Sequence, residues 1–86
     1  KELRGQRYEE YNEQQIATKS NYDTLIAMAK ENYDNLSQEE KFQVDETVKR
    51  LEEARDEELR INKEKYDANL QYAYEHNENL IDLLVN

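Results

Sequence analysis

His76 is the single histidine of this 86-residue chain. A carboxylate-histidine metal centre in a helical bundle asks for a glutamate three residues before the histidine, on the same face. Ala73 stands there instead, so His76 and Glu75 read as solvated helix residues and no metal ligand is assigned. Glycosidase-type chemistry needs two carboxyl groups in unequal surroundings, one of them raised by an apolar pocket. Glu53 and Glu57 lie four residues apart on a helix, but nothing in the sequence builds a pocket around either. The runs Glu52-Glu53 and Asp56-Glu57-Glu58 interleave with Arg50, Arg55 and Arg60, the pattern of a solvated face laced by weak pairs. There is no cysteine to act as a nucleophile, and Gly5, the one glycine, makes no phosphate-cradling loop. The reading is of a non-enzyme with no catalytic residue, no metal, no cofactor and no small-molecule substrate.

Charge narrows the partners. The formal net charge is −9, whereas phosphate binding rests on lysine and arginine gathered on one face. Here they are dispersed, and from Tyr66 to Asn86 there are none. Nucleic acid and anionic membrane surfaces are therefore not expected as ligands. No apolar run is long enough to span a bilayer, and no basic start leads into an apolar core. Without cysteine there is no redox evidence for one compartment over another. Lys1 in place of a methionine points to a processed chain or an excerpt of a longer one.

The residues left to carry a function are those of recognition surfaces. Seven tyrosines stand against one phenylalanine. Tyrosine at a seam edge buries its ring and keeps its hydroxyl wet, and it is also enriched at binding hot spots. Tyr72 and Tyr74 straddle Ala73, and just beyond them Leu80, Ile81 and Leu84 form a wide apolar face that a solvated helix does not leave exposed. These five are the expected partner contacts. Asn35-Leu36-Ser37 fits the N-glycosylation pattern. Leu80-Ile81-Asp82-Leu83-Leu84 resembles, over those five residues, the clathrin-box peptides that endocytic adaptors present in disordered tails; here it stands at the end of a predicted helix.

The elements that must position these residues are helices. With no proline and no glycine after Gln6, sheet is nearly excluded. Apolar or small residues recur at spacings of three and four through Tyr11, Thr18, Tyr22, Leu25, Ala29 and Tyr33, broken only by Gln15. The pattern resumes through Val44, Val48, Leu51, Leu59, Tyr66 and Leu70, interrupted by Arg55 and Asn62. Between the two runs, Ser37 followed by Glu40 reads as a capping box, with Leu36 ahead of it and acidic residues in the first turn. The expected fold is all-α: one coiled-coil segment over 1–86, with a helix over 2–34, a turn at 35–37 and a helix over 38–85.

Short connections join antiparallel neighbours. Folding back near Leu36 predicts a hairpin core in which Ala29 meets Val44, Leu25 meets Val48 and Tyr22 meets Leu51. Thr18 and Gln15 would then face Arg55 and Leu59, a polar waist beyond which Tyr11 and Tyr8 lie against Asn62 and Tyr66. The longer second arm would leave Ala73 to Asn86 as an overhang, and a single narrow seam favours dimerisation into a four-helix bundle. A rival architecture rests on Tyr11, Tyr22, Tyr33, Val44 and Tyr66, all at multiples of eleven: one continuous long helix in a parallel coiled coil.

The functional expectation is a structural module that contacts itself or another helical protein through its overhang. The alternative is an acidic inhibitor that mimics nucleic acid in a basic groove of another protein.

Overall fold

The computed structural model describes the backbone of residues 2–75 and the side chains from Arg7 onward. Helix α1 spans Glu2–Ala29 and helix α2 spans Gln38–Glu75, with a single 3₁₀ turn at Tyr33–Asn35 between them. The two helices pack against each other as an antiparallel hairpin, in a body of 60 × 19 × 10 Å. Among the described residues there is no strand, and the chain reverses, so the continuous rod is set aside.

Helix α1 ends at Ala29 rather than at the expected residue 34. Asn32 adopts the left-handed conformation, φ 61° and ψ 21°, which asparagine tolerates better than most residues. The backbone tightens on either side of it. The Glu31 N–H donates to Met28 O at 3.2 Å and the Tyr33 N–H to Lys30 O at 3.0 Å, both spanning three residues in place of four. The connection therefore runs over 30–37 instead of 35–37.

Helix α2 starts where the capping box places it. The Glu40 N–H donates to Ser37 Oγ at 3.2 Å, and the Ser37 N–H donates back to Glu40 Oε1 at 3.0 Å. These bonds to the carboxylate hold Glu40 below the usual carboxyl range, the backbone N–H of Ser37 contributing most. Leu36, extended at φ −88° and ψ 157°, borders one hollow with Ala29 and Val44, so apolar side chains from both helices and the turn face one space beside the cap. The end of the second helix expected at residue 85 lies outside the described residues.

The seam follows steps of four, four and three. On α1, Tyr11, Tyr22 and the following Tyr33 are half-buried at intervals of eleven, as are Gln15 and Ile26, and buried Thr18 stands eleven residues before half-buried Ala29. On α2 the same interval links Val48, Leu59 and Leu70, and likewise Leu51, Asn62 and Ala73. Eleven residues in three turns is about 3.67 per turn, close to the 3.6 of a straight helix, so each arm keeps its seam toward the other with little winding. The eleven-residue period belongs to both arms of a hairpin, not to a rod.

This period corrects the expected core. Leu25 is 47% exposed, and Ile26, one position on, takes its place in the seam. Tyr22, Ala29, Val44 and Leu51 are half-buried and Val48 is buried. Toward the open end the predicted neighbours Gln15 and Leu59, and Tyr8 and Tyr66, do meet. Thr18, however, meets Asn62 in place of Arg55, Tyr11 stacks on Tyr66 in place of Asn62, and Arg55 reaches Asp23, pairings displaced by about one helical turn along α1 from those predicted. Ala73 is thereby 3% exposed and inside the seam, not in an overhang.

Candidate interaction surface

The open half of the seam is polar. Asn62 Nδ2 donates to Gln15 Oε1 at 2.9 Å and to Thr18 Oγ1 at 3.4 Å, and Gln15 Nε2 donates to the Leu59 carbonyl at 3.1 Å and to the Tyr11 hydroxyl at 3.2 Å. Thr18 and Asn62 are 6% and 7% exposed, and no buried side-chain nitrogen or oxygen of the described residues lacks a partner. A buried amide costs free energy unless it is hydrogen-bonded, and this layer meets that condition across both helices.

Beyond it the tyrosines close ranks. The rings of Tyr11 and Tyr66 stack with centroids 4.4 Å apart and an interplanar angle of 19°, and Tyr8 sets its ring at 69° to Tyr66 at 6.5 Å. Offset stacks and edge contacts of this kind are favoured by the ring quadrupoles. One side of this end opens into a hollow of about 550 Å³, lined by Arg7 and Glu10 of α1, by Lys65, Leu70, Tyr72 and Ala73 of α2, and by the tyrosine stack.

No family model matches the chain, and no curated protein and no solved structure matches it either. The surface must be read from its own chemistry.

Of the five expected partner contacts, Tyr72 and Tyr74 are exposed on either side of buried Ala73, and Tyr72 forms one wall of the hollow. Leu80, Ile81 and Leu84 lie outside the described residues, as does His76. The hollow itself was missed at the sequence level, because Arg7 and Lys65 read as dispersed charge. Their convergence needs the fold to bring positions 7 and 65 together. Further apolar side chains stand outside the seam: Ile16, Met28, Phe42 and Ile61 are all exposed.

The acidic face of α2 is partly self-neutralised. Arg60 joins Glu57, at 2.6 Å, and Glu64 on its own helix, and Lys63 joins Asp67 at 2.8 Å. These pairs hold Glu57 below the usual carboxyl range and raise Lys63 and Arg60. All are exposed, so their net worth to stability is small. Among the described residues no three acidic, histidine or cysteine side chains gather as a metal site, and no helix is long and apolar enough to cross a membrane.

Proposed function

We propose that this chain is a structural interaction module, a self-associating helical hairpin whose C-terminal apolar stretch contacts a second copy. The observation that supports this most is how little the hairpin buries on its own. Val48 and Ala73 are the only buried apolar residues of the described chain, while Met28 and Phe42 are each 64% exposed. A fully buried aliphatic side chain contributes about 1.5–3 kcal/mol, and ordering the backbone costs about 1–2 kcal/mol per residue, so a half-buried seam leaves little margin. Association between copies adds apolar burial without lengthening the chain.

The contact surface in this reading is the stretch that begins at Tyr72 and Tyr74 and continues into Leu80, Ile81 and Leu84. Mimicry of nucleic acid is supported less well. A mimic presents one sign of charge, and α2 interrupts its carboxylates with Arg60, Lys63 and Arg55.

Sedimentation equilibrium on the chain and on an Ile81→Asp/Leu84→Asp variant tests the proposal. A dimer mass that falls to the monomer with helical circular dichroism retained is the expected result. An unchanged mass removes residues 80–84 from the account.

A further inference from the structure

Two features of the open end are complementary. The hollow is lined by the Tyr11–Tyr66 stack with Leu70 and Ala73 and by two cations, Arg7 and Lys65. Glu10 is the one carboxylate lining it. Lys63, Arg60 and Arg55 are engaged with carboxylates, whereas Arg7 and Lys65 enter no ion pair among the described residues. Residues 76–86, His-Asn-Glu-Asn-Leu-Ile-Asp-Leu-Leu-Val-Asn, have the opposite make-up: Leu80, Ile81, Leu83, Leu84 and Val85 with Glu78 and Asp82, and no lysine or arginine.

We propose that the hollow at the open end of the hairpin is the seat for residues 78–85 of a second copy, with Leu and Ile side chains on the tyrosine stack and Glu78 and Asp82 toward Arg7 and Lys65. This rests on the self-association reading and names its contact. The 76–86 stretch starts three residues beyond Ala73, and the chain's own reversal between α1 and α2 occupies the eight residues 30–37, so a reversal of that length from His76 would use the stretch up through Leu83 before it met its own hollow. Carried on in the direction of α2, it leaves its own open end and, with two copies set end to end in opposite directions, reaches the hollow of the other. A helix over 76–86 is about 16 Å long, and α2 from Asn62 to Ala73 runs about the same distance. Each copy gives one segment and receives one, so the arrangement is two-fold symmetric and closed.

Charge exchange in the full chain tests it. Arg7→Glu/Lys65→Glu and Glu78→Lys/Asp82→Lys are each expected to raise the dimer Kd about tenfold or more by sedimentation equilibrium, with helicity unchanged. All four substitutions in one chain should restore the Kd to within about threefold of the parent. Lys19→Glu/Lys49→Glu carries the same change of net charge on exposed sites away from the hollow and should leave it within about twofold.

If Ile81→Asp/Leu84→Asp dissociates the dimer while Arg7→Glu/Lys65→Glu matches the control, the hollow is not the seat and self-association stands. A chain that is monomeric before any substitution overturns both readings.

Discussion

The two ends of this hairpin are held by different chemistry. At the turn, the Ser37–Glu40 capping box fixes where α2 begins, and the apolar side chains of Leu36, Ala29 and Val44 border one hollow. At the open end the same two helices are joined by an asparagine, a glutamine, a threonine and three tyrosines, from residues more than forty positions apart. The apolar end is tolerant of register, since an aliphatic side chain packs about as well against one neighbour as against the next. The polar end is not. Asn62 slid one turn along α1 would leave Gln15 and Thr18 behind and face an aromatic ring, with its amide unpaired. The turn therefore makes the hairpin form, and the polar layer makes it form in one alignment.

The largest effect is expected at the apolar end. Val48 is 8% exposed, and Val48→Asp buries a carboxylate in the seam, costing about 3 kcal/mol or more. Urea unfolding followed by helical circular dichroism should show most of the transition lost. Retention of the parent midpoint would mean that Val48 does not hold the helices together.

Asn62 probes the other end. Asn62→Ala strands Gln15 Oε1 and Thr18 Oγ1 and should cost about 2 kcal/mol. Replacing both sides of the layer, in Gln15→Leu/Thr18→Val/Asn62→Leu, removes the unmet polar groups and should leave stability within about 1 kcal/mol of the parent. What it should lose is alignment. Spin labels at Ile16 and Ile61, both exposed, would report one distance in the parent and a second population shifted by about one turn, roughly 5 Å, in the triple variant. A single unshifted distance would show that the apolar seam sets the register alone.

This division also explains what could be read from the sequence. The capping box was legible because Ser37 and Glu40 are three residues apart, and the helical seam because its period repeats locally. Register was not legible. Predicted from apolar matching alone, it paired Leu25 with Val48 and left Ala73 in an overhang, because a three-and-four count does not distinguish Leu25 from Ile26. The strict interval of eleven does, and it was visible in Tyr11, Tyr22 and Tyr33, but a period says nothing of whether the chain reverses. Asn32 ends α1, and Asn32 and Asn35 are equally plausible stops until the backbone is known. The hollow between Arg7 and Lys65 exists only once the register is set.

A smaller effect is expected from the cap. Ser37→Ala removes the acceptor for the Glu40 N–H and should cost about 1 kcal/mol. Glu40 answers with a pH dependence of known sign. Its carboxyl is held below its usual range in the hairpin, so its contribution is complete above the unfolded value and is lost as pH falls through the lowered one. The difference in urea midpoint between the parent and Glu40→Gln should be steady near neutrality and close in acid; a difference that survives in strong acid would assign it to something other than the charge.

The smallest effect lies beside the turn, where the Tyr33 hydroxyl donates to Asp45 Oδ2 at 3.1 Å and Lys41 sits over its ring at 5.5 Å from the centroid. Donation to Asp45 raises the phenol above its ordinary value, with lesser contributions from burial and from the nearby charges of Asp45 and Asp34. A raised pKa in the folded state means that the bond contributes fully below the unfolded value, about 10, and loses its contribution as pH rises through the folded one. Tyr33→Phe should therefore lower the urea midpoint slightly and by a constant amount from neutral pH to about 9. Above that range the gap should close and then change sign, because a phenolate facing Asp45 repels it and phenylalanine does not. Taking the difference between parent and variant isolates Tyr33. A gap that stays constant through the titration would show that the hydroxyl of Tyr33 does not hold Asp45 in solution and that the turn rests on the Ser37 cap and Leu36 alone.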